Sequence, residues 1–230
     1  MSPDAHSPGP DRRARSRRSA PPGEPRSAGA EDLQGARERR AIAEMRALND
    51  EITAAAPCRA QDELPVLASG SPQADIMLVK WAPNLAERQE GVAFFGRAGT
   101  AILKSMQRLG IDPLTLYGTL CVKCGGEGDD PAEGEDVEAF LPWLSREVQI
   151  VQPALIVPMG ERVVDAINRM GHPMSGPLSP SPGEVQGWTP SIEALYVPDI
   201  DASLDEQAAK RAFWNAFRAI GDWHQAQPPY

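Results

Sequence analysis

The stretch Ile76-Met77-Leu78-Val79-Lys80-Trp81-Ala82-Pro83-Asn84-Leu85-Ala86-Glu87-Arg88-Gln89-Glu90-Gly91-Val92-Ala93-Phe94-Phe95-Gly96-Arg97-Ala98-Gly99 says most about the fold. Its first four residues are all apolar, as expected of a short strand buried on both faces, since a strand with one wet face alternates. A loop starts near Lys80. A helix is then expected from Ala98 to Leu109, stopped by Gly110 and Pro113.

The same rhythm runs outward from this unit. Leu116–Val122 reads as a second strand, Val137–Val151 as a helix, Ala154–Val157 as a third strand and Glu161–Met170 as a helix. Ile192–Val197 reads as a fourth strand and Leu204–Trp223 as a closing helix. Apolar strands alternating with helices imply an α/β fold, a three-layer αβα sandwich around a short parallel sheet of about four strands. Ligands of such sheets lie at the carboxyl ends of the strands, here near Lys80, Val122, Pro158 and Pro198. The Gly/Pro/Ser-rich stretch 171–191 breaks the rhythm and reads as a surface excursion.

Before this domain, assigned to 57–226, come two other segments. Residues 1–30 form a Pro- and Arg-rich tail with almost nothing apolar, expected to stay disordered and able to touch polyanions through Arg12, Arg13, Arg15, Arg17 and Arg18. Residues 31–56 carry Leu33, Ile42, Met45, Leu48 and Ile52 at helical spacing, hence an N-terminal helix ending before Pro57. The net charge of −9 is uneven: residues 1–40 hold nine Arg against six acidic residues, so the rest carries −12. A duplex-binding surface is expected to be basic, and this body is acidic. No apolar run is long enough for a membrane span. Three cysteines make no disulfide framework, so a reducing, cytoplasmic setting is expected, with the oligomeric state left open.

Four segments in order resemble the uracil-DNA glycosylase superfamily, especially its iron–sulfur branch, family four. The quoted stretch resembles that branch's strand running into Gly-Glu-Ala-Pro-Gly, then an acidic loop and Pro-Phe-Val-Gly-Arg-Ala-Gly opening a helix. Tyr117-Gly118-Thr119-Leu120-Cys121-Val122-Lys123-Cys124 resembles its Tyr-x-Thr-Asn-x-Val-Lys-Cys. Pro153–Gly160 resembles its third strand with the following Gly, and Pro198-Asp199-Ile200-Asp201-Ala202-Ser203 stands where Pro-x-x-His-Pro-Ser is found.

The resemblance implies a base pocket at Ala82, Pro83, Phe94, Gly96, Leu120 and Ser203. Phe94 falls on the aromatic that stacks the flipped base, although it equally reads as a plug between loop and core. Three positions depart from the family. Its acidic residue falls on Trp81, which cannot position a water; its Asn falls on Leu120, which cannot read a base edge; its His falls on Asp201, whose charge opposes a developing uracil anion. Asp201 is the one candidate for water activation, and Asp199 and Asp201 read alternatively as loop carboxylates with Ser203 near the cap of the last helix.

The family also implies a four-iron, four-sulfur cluster on four thiolates. Cys58 and Cys124 fall on two ligand positions, a third is missing from Ala60-Gln61-Asp62, and a fourth falls near Phe140. Cys121 and Cys124 read as buried thiols, so no metal or cofactor is expected. The residues thus lead to a uracil-DNA glycosylase-like protein without catalysis or cluster, binding DNA, a nucleobase or another protein. The alternative is an active, divergent DNA glycosylase.

Overall fold

The computed structural model describes residues 28–54, 64–124 and 137–228. The tail through residue 27, Cys58 and the acidic stretch 125–136 lie outside them. Helix α1 spans Ala28–Ala54, beginning earlier than the apolar spacing indicates.

Strand β2 (Ile76–Lys80) is buried along its whole length and lies at the centre of the sheet. It pairs in parallel with β3 (Leu116–Leu120) on one side and β4 (Leu155–Pro158) on the other, and β4 pairs in parallel with β6 (Glu193–Leu195). These are the four expected strands. Two short antiparallel edge strands extend them, β1 (Ser69–Gly70) on β3 and β5 (Val185–Gly187) on β6. The expected four-stranded parallel core is thus the centre of a mixed, six-stranded sheet in the order β1-β3-β2-β4-β6-β5. Stretch 171–191 supplies β5 and is no mere surface excursion: Leu178 and Trp188 are core residues. Its Gly/Pro/Ser composition hides the strand because only three residues pair.

The other helices are α2 (Leu85–Glu90), α3 (Arg97–Leu109), α4 (Leu141–Val151), α5 (Glu161–Arg169), α6 (Gln207–Phe217) and α7 (Ala219–Ala226). The closing helix is split at Arg218. One face of the sheet (Met77, Val79, Tyr117, Ile156) packs on α1, α4 and α5. The other (Ile76, Leu78, Leu116, Val157) packs on α3, α6 and α7. Strand periodicity thus sends Lys80 and Trp81 to opposite faces.

On the α1/α4 face the core holds charge. Lys123 Nζ donates to both carboxylate oxygens of Glu147 at 2.8 Å and to Thr119 Oγ1 at 2.5 Å. Thr119 and Tyr117 donate in turn to Glu147. Both charged side chains are wholly buried. The pair survives there because every partner is present, and it clamps α4 to β3.

Candidate functional site

Helix α2 occupies part of the loop after β2, and its start is an Asn84–Glu87 capping box. Asn84 Oδ1 accepts from the Glu87 N–H at 3.1 Å, while Glu87 Oε2 accepts from the Asn84 N–H at 2.8 Å. Glu87 does more than cap. Its Oε1 accepts from the Phe94 N–H at 2.6 Å, and its Oε2 lies 2.7 Å from Lys80 Nζ. Lys80 also donates to Asp201 Oδ2, and Asn84 Nδ2 donates to Asp201 Oδ1 at 3.1 Å. Lys80 and Glu87 are 1 % and 0 % exposed, and with the one-third-exposed Asp201 they form a cluster of one ammonium and two carboxylates. Burial pushes the Glu87 carboxyl above its ordinary range, against the opposing pull of Lys80.

Phe94 stands beside this cluster with its ring centroid 5.8 Å from Lys80 Nζ. Its backbone is left-handed, φ 59°, a conformation that costs a residue with a Cβ. The Glu87 bond and the close passage of the Phe94 carbonyl over Gly99 hold it there; a Cβ on Gly99 would come 1.7 Å from that oxygen. The ring lies directly on β3, where a Cβ on Gly118 would meet ring carbon Cδ2 at 2.5 Å. Leu120, wholly buried, packs with Val66, Ala93 and Phe94. Lys80 is opposite Leu120 in the β2–β3 register. The space bounded by Phe94, Leu120 and Asp201 is therefore taken by the Lys80 side chain and its partners.

The six residues read as one base pocket are divided. Phe94 and Leu120 touch the same cluster. Gly96 is the residue before α3, with φ 80°. Ala82 and Pro83 line an open cleft of about 610 Å³ at the carboxyl ends of the parallel strands, together with Trp81, Gly160, Tyr196 and Asp199, and Asn84 and Asp201 of the Lys80 cluster border it. Trp81 is nearly buried, and the Arg162 guanidinium lies 4.0 Å from its ring centroid. Ser203 is buried and donates to the Asp199 carbonyl. It does not cap the last helix, which starts four residues later after Glu206. Asp199 instead stabilises its own turn, its Oδ1 accepting from the N–H groups of Asp201 at 2.7 Å and Ala202 at 3.1 Å.

Sequence reading missed Lys80, Asn84 and Glu87 as parts of the site. The signals were present: a lysine closing an otherwise apolar strand, and Asn84 and Glu87 at capping-box spacing. In the resembled motif a glycine precedes the acidic residue, and that position is Lys80 here.

Among the described residues no group of three or more His, Cys, Asp or Glu side chains is arranged to hold a metal. The donor set does not fit a four-thiolate cluster. The chain has three cysteines, and Phe140, near the fourth position, is a core side chain. Cys121 is buried with its thiol pushed up to about 12 by desolvation, which keeps it protonated. Cys124 is disulfide-bonded rather than a second buried free thiol.

A three-layer sandwich with this first loop, the Phe94 turn and a cleft between loops at the strand ends defines a glycosylase-like architecture. Residues 67–218 match the Uracil DNA glycosylase superfamily, and the chain belongs to that superfamily. It is 29% identical over 159 residues to the type-4 uracil-DNA glycosylase of Sulfurisphaera tokodaii, covering 63% of this chain and 72% of that protein. It is 32% identical over 95 residues to the enzyme of the same name from Pyrobaculum aerophilum, covering 41% of this chain and 48% of that protein. For the Archaeoglobus fulgidus enzyme the identity is 24% over 156 residues, covering 66% and 78%. The family-four resemblance is thereby supported.

Proposed function

We propose that this member keeps the superfamily fold but neither excises uracil nor carries an iron–sulfur cluster, and serves as a binding module for a nucleobase or nucleic acid. One observation carries the reading. The Lys80 ammonium, held by Glu87 and Asp201, fills the space beside Phe94 where the resemblance places the flipped base. A base entering there has to displace a buried charge from two carboxylates, which is a steep cost.

Three further features agree with it. Leu120 offers no hydrogen bond to a base edge, and a site lacking such a group discriminates poorly. Trp81 lies on the opposite face of β2 from Lys80 and carries no carboxylate to position a water. Asp201, the candidate base of a divergent glycosylase, is engaged by Lys80 and by Asn84. Both of its oxygens are thus already engaged by protein donors. The same reading expects the protein in the cytoplasm.

The test is excision from single- and double-stranded uracil-containing oligonucleotides, read as alkali-labile cleavage on a gel. No cleavage is expected over a range in which an active glycosylase is measured alongside. Cleavage by wild-type protein that Asp201→Asn abolishes would establish the divergent enzyme instead.

A further inference from the structure

The net charge of −12 beyond residue 40 is not spread evenly along the chain. From Gly91 to Ile111 and from Gln207 to Gly221 there is no acidic residue. Those two stretches hold six of the 14 Lys and Arg beyond residue 40: Arg97, Lys104, Arg108, Lys210, Arg211 and Arg218. All six are exposed, and none of them lines the open cleft. Arg97, Lys104 and Arg108 stand at i, i+7 and i+11, which is one stripe along α3. Lys210, Trp214 and Arg218 stand at i, i+4 and i+8 along α6 and its C-cap, with Arg211 seven positions before Arg218, so they too share one side.

The two stripes join. Helices α3 and α6 cover the same side of the sheet and are tied twice. Arg97 donates to Asp205, two residues before α6, at 2.6 Å, and the Arg108 guanidinium lies 5.7 Å from the Trp214 ring centroid. Elsewhere the cations are spent on carboxylates: Lys80 and Lys123 in buried pairs, Arg146 and Arg169 in surface ones. Lys104, Lys210, Arg211 and Arg218 have no ion-pair partner among the described residues, although the chain has carboxylates to spare. The kind of partner follows from what this face lacks. Among the described residues of α3 and α6, Leu103 is the one large apolar side chain that is exposed, so there is no apolar centre of the kind a protein–protein interface buries. Cations at helical spacing suit a phosphate backbone, which is held by charge without reading bases. From Arg97 to Arg108 the stripe runs about 16 Å, the rise of about five base pairs.

We propose that the α3/α6 face holds double-stranded nucleic acid by its phosphate backbone, independently of base sequence and away from the cleft. Gathering the cations on one face of an acidic body also orients the duplex, because approach to the acidic sides is repelled. The inference deepens the binding-module reading and rests on it, naming nucleic acid as the ligand and this face as its contact.

The test is binding of the full-length protein to a uracil-free DNA duplex, read by fluorescence anisotropy between about 50 and 200 mM salt. The combined change Lys104→Gln, Lys210→Gln, Arg211→Gln and Arg218→Gln should weaken binding at least about tenfold at the low-salt end. It should also lower the slope of log K against log salt by about 3 to 4, since each lost phosphate contact removes about 0.9. All four side chains are exposed, so an unchanged melting temperature is expected and serves as the control for folding. Lys104→Arg with Lys210→Arg should keep wild-type affinity, because the charge is retained. Wild-type protein should bind the duplex more tightly than polyglutamate of equal charge. The proposal is overturned if wild type shows no salt-dependent duplex binding, or if the four-Gln variant keeps its affinity and slope. It is equally overturned if Gln at Arg12, Arg13, Arg15, Arg17 and Arg18 alone abolishes binding, which puts the affinity in the tail, or if polyglutamate binds more tightly, which points to an acidic protein. The DNA carries no uracil, so failure here is separate from failure of the non-catalytic reading, which only uracil release overturns.

Discussion

Replacing Lys80 by Met removes the ammonium while keeping a chain of similar length in the core. Glu87 is then left wholly buried with only the Phe94 and Asn84 N–H groups as donors, and Asp201 keeps only Asn84 Nδ2. Removing one partner of a buried ion pair typically costs about 3–5 kcal/mol. Asp201 is one-third exposed and water compensates it, so the lower end, about 3 kcal/mol, is expected at pH 7. For a domain of this size, that corresponds to a fall in melting temperature of about 6–12 °C. Urea unfolding at constant m reads the loss directly. The deficit should shrink toward acid pH, because the uncompensated Glu87 protonates and its charge penalty disappears. Adding Glu87→Gln should recover about half at pH 7; full recovery is not expected, since a Gln amide has one acceptor where the carboxylate uses two. A Lys80→Met variant losing less than about 1 kcal/mol, or losing the same amount at every pH, refutes the cluster as described.

Three other outcomes are expected. The combined change Lys80→Gly, Trp81→Glu, Leu120→Asn and Asp201→His should yield weak uracil excision, whereas the same set with Lys80 retained should yield none, because the ammonium still fills the space beside Phe94; equal activity in both sets would discount the plug. Gly118→Ala should destabilise by about 1–3 kcal/mol through its clash with the movable Phe94 ring, and Gly99→Ala by more, because it meets the Phe94 carbonyl; denaturant midpoints rank the two. The Asp199 carboxyl titrates higher folded than its ordinary 3.8, so the folded state holds its proton more tightly. Its contribution to stability is then full below that ordinary value and is lost as pH rises through the raised one. Wild type should accordingly lose stability relative to Asp199→Asn between about pH 4 and neutrality, and a pH-independent difference in urea midpoint would contradict this.

The layers of this protein are legible along the chain because each depends on neighbours a few residues apart. Ile76–Val79 and Ala154–Val157 announce buried parallel strands through unbroken apolarity, and Ala98–Leu109 announces a helix through its period and its Gly110 stop. Four motif segments in order, from Ala82-Pro83 to Asp201-Ala202-Ser203, indicated the superfamily. Edge strands β1 and β5 escaped because two or three residues, paired only across space, leave no periodic trace. The site escaped for a related reason. Lys80, Glu87 and Asp201 are spread over 122 positions, and nothing local says that a lysine ending β2 will meet a carboxylate beyond β6 rather than solvent. Adjacent residues were misleading too: Lys80 and Trp81 are neighbours in sequence, yet pleating sends one under Phe94 and the other beneath Arg162. Composition, period and motif are local quantities, so the chain by itself determined the sandwich and its kinship. Which charges share a buried space depends on strand order and register, and only the tertiary structure decided that Asp201 answers Lys80 while Asp199 and Tyr196 face the open cleft.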